Sequence, residues 1–312
     1  MKNRNIAHYL LALALLVAFG ASSCSDWTEE QPVKQDIIKP GDQDPEKYAQ
    51  YLETLRSYKK SNHYLVFARM NNAPEISVSE RDFLRSMPDS LDVVSLRYGD
   101  KITDYDAEDI PLVQKKGTRI LYGFDPSEQN GAGFTQYLNG LIERIRTLGL
   151  NGISVVLSTP LSAQDEQTLV NSLSVVAGPG KSLLLVFEGN PEAISKTNRS
   201  KFDYFVLPTN TMPNVLEVRN SILYAHEVCG IAMDKIILSA IPNGNIFDSN
   251  NKLQKAIPEM ARCVVALGPV GGLDVYDIHV DYALNTEHNG ECHCPNSGNN
   301  MEKNCTNTAY VW

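Results

Sequence analysis

Short apolar runs alternate with amphipathic stretches along most of the chain. Eight runs are rich in Val, Ile, Leu and aromatic side chains and are predicted to be strands. They are residues 64–68, 93–96, 119–123, 152–157, 183–187, 204–207, 236–240 and 273–279. Runs that are apolar throughout, without a polar residue at every second position, are typical of strands covered on both faces in a parallel sheet.

Helical spacing separates these runs. In 134–148 the apolar residues recur every three or four positions, and Gly149 follows as a predicted C-cap. Similar spacing predicts helices at 47–58, 161–177, 215–228 and 253–267. Eight strands alternating with helices in one domain predict an α/β fold, a closed (β/α)₈ TIM barrel rather than an open sheet. No Gly-x-Gly-x-x-Gly or phosphate-binding loop follows the first strand, which disfavours nucleotide binding.

The N-terminus has the pattern of an export signal. Lys2 and Arg4 precede the apolar stretch 9–20, which is short for a membrane span, and small residues then lead to Cys24. This resembles the lipobox of bacterial lipoproteins and predicts a signal peptide over 1–23 and lipidation of Cys24. An ordinary secretory signal is the alternative.

The residues after Cys24 suggest where the protein is displayed. Asp26, Glu29 and Glu30 resemble the surface-export signal of Bacteroidetes lipoproteins, so we expect an outer-membrane protein exposed at the cell surface. An anchor facing the periplasm is the alternative. Residues 24–45 are polar and contain three prolines, which predicts a flexible tether. The barrel domain is predicted to occupy 46–312, with a Cys-rich tail.

Composition limits the partners and the cofactors. The chain has 312 residues, 43% of them hydrophobic, and a net charge of −9, which disfavours nucleic acid. Five cysteines follow Cys24, an odd number whose pairing stays open; they are Cys229, Cys263, Cys292, Cys294 and Cys305. A metal cluster of the tail cysteines with His288 and His293 is disfavoured by the Cys-x-Cys spacing. We therefore expect neither a metal nor a cofactor.

Residues 150–158 carry the most informative motif. The run Leu-Asn-Gly-Ile-Ser-Val-Val-Leu-Ser resembles the fourth strand of glycoside hydrolase family 18, the chitinases and endo-β-N-acetylglucosaminidases, which has D-G-x-D-x-D-x-E. Gly152 is kept. The four acidic positions are occupied instead by Asn151, Ser154, Val156 and Ser158.

The resemblance covers most of residues 60–283. Residues 88–96, 116–121 and 271–282 are similar to the second, third and last strands of the endoglycosidase branch. The chain therefore resembles a catalytically degenerate branch of Bacteroidetes lipoproteins. After Asn285 it departs from the family, since a Cys-rich, Gly/Asn-rich segment stands where a last barrel helix is expected.

The resemblance implies a lost reaction. In the family, the Glu protonates the glycosidic oxygen, the substrate's N-acetyl oxygen attacks the anomeric carbon, and the neighbouring Asp orients that group. The hydroxyl of Ser158 is too weak an acid for this role, and Val156 cannot orient the acetamido group or stabilise positive charge. The sequence therefore predicts no hydrolysis by the family mechanism.

Polar and aromatic residues follow the predicted strands, where barrel proteins place their sites. Amide, carboxylate and guanidinium groups pair with sugar hydroxyls, and tyrosine faces stack on sugar rings. The glycan-binding candidates are Arg69, Asn71, Arg97, Tyr98, Tyr122, Asp125, Glu188, Asn190, Asn210, Asn243, Tyr276 and Asp277.

The sequence therefore predicts a non-catalytic glycan-binding lipoprotein. The family resemblance implies ligands that contain N-acetylglucosamine, such as N-glycans, captured for uptake beside an outer-membrane carbohydrate import complex. The alternative is an active endo-β-N-acetylglucosaminidase or chitinase that uses Glu188 and Asp277 as relocated acids.

Overall fold

The structure is a computed structural model that describes residues 40–72, 79–129 and 131–283. The signal peptide, Cys24, His288, His293 and the cysteines predicted in the tail lie outside these residues. Two compact units are distinguished, 1–49 and 50–312. In the first, the structure describes helix α1 (Pro40–Gln43) and the start of α2 (Pro45–Lys60). None of the described helices has the length and apolar character needed to cross a membrane.

The second unit contains a closed barrel of eight parallel strands. The strands are β1 (Leu65–Met70), β2 (Val93–Leu96), β3 (Arg119–Phe124), β4 (Gly152–Leu157), β5 (Leu184–Gly189), β6 (Tyr204–Leu207), β7 (Ile236–Ala240) and β10 (Gly272–Val275). They follow one another around the barrel in this order, and β10 pairs with β1 to close it. The predicted α/β class and (β/α)₈ barrel are confirmed.

The last barrel strand is shorter than the sequence predicts. It ends at Val275 instead of continuing to 279, because Asp277 adopts a left-handed backbone with φ of 57°. A strand cannot continue through such a residue. Residues Ile278–Ala283 form a 3₁₀ turn instead.

The helices that follow the barrel strands are α3 (Asp104–Gln114), α4 (Phe134–Leu148), α5 (Ala163–Leu173), α6 (Lys196–Arg199), α7 (Val215–Leu223) and α8 (Ala256–Ala266). Helix α4 has the predicted bounds, and Gly149 (φ 65°) ends it by donating its N–H to the carbonyls of Ile145 and Arg146. Helix α7 is shorter than predicted, because Tyr224–Val228 form a π-helical turn.

Helix α8 also begins later than predicted. Residues Leu253–Lys255 form strand β9, which pairs antiparallel with β8 (Asn245–Phe247). Asn251 takes a positive φ in the turn between them, and the Asp248 carboxylate accepts the N–H of Lys252. This turn closes a hairpin, so the apolar residue that suggested an earlier helix start belongs to a strand.

The barrel interior is built in layers. Six side chains fill its middle: Phe67, Val93, Leu121, Val186, Val206 and Ile237. Because side chains alternate between the two faces of a strand, the residues two positions further on also face inward. Four of these, Arg69, Ser95, Glu188 and Ser239, are polar and buried, as are Ser154 of β4 and Asp274 of β10. The core thus changes from apolar to polar towards the C-terminal ends of the strands, where barrel proteins hold their sites.

Candidate functional site

Two cavities open at the C-terminal ends of the barrel strands. The first, of about 320 Å³, lies above β4, β5, β6 and β7. The second, of about 430 Å³, lies above β1, β2 and β3. Arg69, Val156, Ser158 and Tyr276 line both, so they form the boundary between the two cavities.

A buried ion pair forms part of this boundary. Arg69 and Glu188 are only 6% and 7% exposed, and Arg69 Nη1 lies 3.5 Å from Glu188 Oε2. The hydroxyl of Ser154, which is fully buried, donates to Glu188 Oε1. The Arg69 guanidinium also lies over the Tyr276 ring, 4.6 Å from its centroid. Three strands that are far apart in the sequence thus place one charged cluster at the floor of the cavities.

One N–H donor of the Arg69 guanidinium is unpaired in the described ranges of the chain. Its Nε is buried and has no partner among the residues that the structure describes. A guanidinium has five N–H donors, and leaving them unpaired in a buried site is costly. The arrangement therefore suits a ligand oxygen at the junction of the two cavities.

Asp274 is a second buried carboxyl group in the polar layer, and the sequence analysis did not select it. It is 4% exposed, and its Oδ2 has no hydrogen-bond partner within the described part of the chain. Burial raises the pKa of Asp274 well above its usual range, and the negative charge of Glu188 raises it further against the opposing effect of Arg69. Burial and the charge of Glu188 therefore favour the protonated form of Asp274 beside the pair. The sequence did offer a signal for Asp274, because a carboxylate within a predicted buried strand is unusual.

We expect Asp274→Asn to stabilise the protein at neutral pH. A raised folded-state pKa means that Asp274 contributes stability below its unfolded pKa, of about 3.9, and that this stability is lost as pH rises towards the folded value. The neutral amide avoids this loss, so the free energy of unfolding at pH 7 should rise by roughly 1–3 kcal/mol. Urea unfolding at pH 7 and pH 3.5 measures it.

The gain from Asp274→Asn should largely disappear at pH 3.5, where the carboxyl group is mostly protonated in both states. Asp234→Asn, at an exposed carboxylate, is the control and should change little at either pH. An equal gain at both pH values would show that ionisation of Asp274 is not its cause.

The four positions that are acidic in the family motif do not share one location. Val156 and Ser158 line both cavities, and Ser154 lies beneath them in the barrel interior. Asn151 precedes β4 at the opposite end of the barrel, where its Oδ1 accepts the backbone N–H of Ile120 and the Nε2 of Gln114. Asn151 thus supports the strands, and the other three positions face the site.

The structure gathers most of the predicted glycan-binding residues at the two cavities. Asn190 and Asn210 line the first cavity with Glu188, and Arg97, Tyr98 and Asp125 line the second. Arg69 and Tyr276 line both.

Four other candidates lie outside the two linings. Asn71 follows β1, and Asn243 occupies a turn with φ of 62°. Tyr122 is buried in the core, with its hydroxyl donating to Asp100. Asp277 lies beside the second cavity, with Oδ1 3.7 Å from Arg97 Nη1.

Asp100 and Tyr137 join the site without having been predicted. Both line the second cavity, and the Tyr137 hydroxyl donates to Asp100 Oδ2 at 3.1 Å. Burial, and next the charge of Asp100, raise the pKa of Tyr137, so the phenol keeps its proton and remains a donor. Tyr122 donates to Oδ1 of the same carboxylate. The pair of phenols therefore fixes Asp100 in the cavity wall.

Metal-binding clusters and thiols are absent from the two cavities in the part of the chain that the structure describes. Within residues 40–72, 79–129 and 131–283, no group of three or more His, Cys, Asp or Glu side chains could hold a metal ion. Cys229 and Cys263 are buried free thiols, and burial raises the pKa of Cys263 to about 11. Neither thiol lines the two cavities.

Known proteins are similar to this chain in part of its sequence and in its fold. Residues 31–129 match the sequence model of glycoside hydrolase family 18, BT1044-like. A selenomethionine form of BT1044 with a glutamate-to-glutamine substitution is 17% identical, with a TM-score of 0.59, covering 79% of this chain and 89% of its own. No curated protein sequence matches.

A second solved protein has a comparable fold. The endo-β-N-acetylglucosaminidase from Cordyceps militaris in its apo form is 17% identical, with a TM-score of 0.57, covering 74% of this chain and 86% of its own. A doubly substituted form of that enzyme, in complex with fucosyl-N-acetylglucosamine-Asn, is 15% identical, with a TM-score of 0.56 and coverage of 72% and 85%. At these identities the solved structures show a shared fold.

Proposed function

Since the chain resembles glycoside hydrolase family 18, as the match over residues 31–129 confirms, we propose that it binds glycans without hydrolysing them. One observation carries the proposal. Val156 and Ser158 line both cavities at the positions of the family's last two motif acids. The cleft is therefore kept, and the groups that would protonate the glycosidic oxygen and orient the acetamido group are missing.

Glu188 is poorly suited to replace the missing acid. A general acid must carry a proton before it can donate one. Glu188 Oε2 faces the Arg69 guanidinium at 3.5 Å and Oε1 accepts the Ser154 hydroxyl, so both of its oxygens are already engaged within the protein. The other relocated candidate, Asp277, faces Arg97 at 3.7 Å. Both carboxylates thus act as partners of arginines that line the cavities.

The lining favours a sugar ligand. Asn190 and Asn210 supply amides to the first cavity, and Tyr276 supplies an aromatic ring to both. Each cavity has the size of a small-molecule site. A similar barrel has been solved with fucosyl-N-acetylglucosamine-Asn, and we extend that chemistry to this chain. The proposed ligands contain N-acetylglucosamine, and N-glycans are the main candidates.

The setting of this activity rests on the N-terminal sequence. A lipid at Cys24 would anchor the protein in the outer membrane, and the acidic residues that follow support display at the cell surface. Capture at that surface would deliver glycans to an outer-membrane carbohydrate import complex. Metabolic labelling with a palmitate analogue, lost on Cys24→Ala, tests the anchor.

Binding to a panel of glycans tests the proposed function directly. We expect the purified protein to bind glycans that contain N-acetylglucosamine, and Tyr276→Ala to weaken that binding about tenfold, because a stacking face is lost. Tyr105→Ala is the matched control, since Tyr105 is exposed and lies outside both cavities. Isothermal titration measures both variants. Failure of the wild-type protein to bind any glycan across the panel would overturn the proposal.

A further inference from the structure

A third cavity lies at the opposite end of the barrel, where the strands begin. It has a volume of about 660 Å³, larger than either cavity above. Arg119 and Tyr204 are the first residues of β3 and β6, and both line it. Lys59, at the end of α2, and Tyr64, just before β1, complete its main walls. The length of the barrel therefore separates this cavity from the proposed glycan site.

Arg119 is the main polar group of this third cavity. Its half-buried guanidinium forms neither a hydrogen bond nor an ion pair with the residues that the structure describes. Guanidinium groups match carboxylate and phosphate oxygens through two parallel N–H donors. The unpaired N–H donors of Arg119 in the cavity wall can therefore bind an anion.

Lys59 adds a second positive charge. Its Nζ donates to Thr118 Oγ1 at 2.7 Å and to the carbonyl of Leu91. Burial lowers the pKa of Lys59 to about 8, with Asp92 and Asp89 opposing this and the like charges of Lys116 and Arg119 adding to it. Positive groups thus cluster at this end of a chain whose net charge is −9.

The nearby carboxylates are engaged elsewhere. Asp92 accepts the backbone N–H of Val66 and contacts His63 Nε2 at 3.1 Å. Asp203 accepts the backbone N–H of Leu185. Asp234 lines the cavity but is exposed to solvent. Burial raises the pKa of Asp203, and Arg119 is close enough for its charge to oppose this effect. None of the three carboxylates lies within ion-pair distance of Arg119, so among the described residues its N–H donors remain open to a ligand.

The third cavity also has flat apolar walls. Tyr64 is 43% exposed, and the Tyr204 ring packs edge-on against Phe67, with 5.5 Å between the ring centroids. Phenol rings cover the carbon skeleton of a ligand while their hydroxyls stay near water. A ligand with both an anionic group and a small carbon skeleton therefore fits the lining.

We propose that this third cavity is a second binding site, which takes the oxyanion of a small molecule, a carboxylate or a phosphate, on Arg119. Lys59 adds charge at the oxyanion, and Tyr64 and Tyr204 cover the rest of the ligand. The site works independently of glycan binding at the other end of the barrel.

Sulfate titration of the full chain tests the site, because sulfate keeps its charge across the pH range used. At constant ionic strength, calorimetry should show one saturable site per chain. Arg119→Gln should bind sulfate about tenfold more weakly, since a charge-assisted pair is lost. Arg219→Gln is the matched control, because Arg219 is exposed on α7 and lies outside the cavity.

Two further measurements make the outcome decisive. Sulfate affinity should fall between pH 7 and pH 9, as Lys59 loses its proton near pH 8. Thermal unfolding confirms that Arg119→Gln is folded, and Arg119→Lys, which keeps the charge, should retain part of the affinity. Equal affinity in the wild type and a folded Arg119→Gln, or binding that does not saturate, overturns the proposal.

Vesicles distinguish the sources of the oxyanion. If the ligand is a lipid headgroup, phosphatidylglycerol vesicles should bind the protein, and Arg119→Gln should abolish that binding; phosphatidylcholine vesicles are the control. Saturable sulfate binding without vesicle binding assigns a free small molecule.

Discussion

Incubation of the protein with high-mannose and complex N-glycoproteins is expected to release no free glycan. The residues at the positions of the family's acid and its orienting carboxylate are Ser158 and Val156, which line both cavities. General acid–base assistance alone contributes about 10²–10⁴-fold to such reactions. Losing the orienting carboxylate as well should take family-type hydrolysis below detection. Labelling of released glycans followed by chromatography, over a long incubation, measures the result.

Glu188→Gln and Asp277→Asn are the informative variants in this assay, and an active family 18 endoglycosidase is the positive control. Release by the wild type that disappears in either variant would contradict the proposed function. It would favour the alternative, a hydrolase with relocated acids. Since Glu188 is paired with Arg69 and Asp277 faces Arg97, we expect both variants, like the wild type, to release no glycan.

The second large effect concerns stability, and arises from the buried pair of Arg69 and Glu188. We expect Glu188→Ala to lower the free energy of unfolding by about 3–5 kcal/mol, because it leaves a buried guanidinium without its counter-charge. The side chains of the pair are 8% and 9% exposed, so water compensates poorly for the loss. Denaturant unfolding monitored by fluorescence measures the change.

A surface pair offers the matched control. Glu143 lies 2.6 Å from Arg146, but their side chains are 69% and 57% exposed, so Glu143→Ala should cost less than about 1 kcal/mol. The double variant Arg69→Met, Glu188→Leu should lose less than Glu188→Ala alone, because it leaves no unpaired charge. If Glu188→Ala and Glu143→Ala lowered the free energy of unfolding equally, burial would not make the Arg69–Glu188 pair more important for stability than a surface pair.

Most of the barrel could be predicted from local patterns. Strands β2, β4, β6 and β7 and helix α4 have the predicted bounds, because each apolar run or helical spacing is set by what a short segment must bury. The hairpin of β8 and β9 could not be predicted this way. Leu253 fits a helical pattern, and only the turn closed by Asp248 places it in a strand.

The candidate site was predicted less completely than the fold. Arg97 and Asn190 follow predicted strands, and both line the cavities as expected. The reason is that the loops after barrel strands all lie at one end of the barrel. The same argument selected Tyr122, which is buried and holds Asp100 with its hydroxyl. Position along a strand says which end a residue occupies, but the face on which its side chain lies depends on the register.

The sequence by itself determined the class of the fold and, through the resemblance of residues 150–158, predicted which residues stand at the family's acidic positions. Both depend only on short segments of the chain. Apolar runs require burial, and Val156 and Ser158 carry no carboxyl group. Only the tertiary structure decided what surrounds those positions. Closure of the barrel places Arg69 of β1 and Glu188 of β5 in contact, with Asp274 of β10 close enough for its pKa to respond to both. Charge pairing and burial depend on distance in space, which local patterns along the chain do not specify.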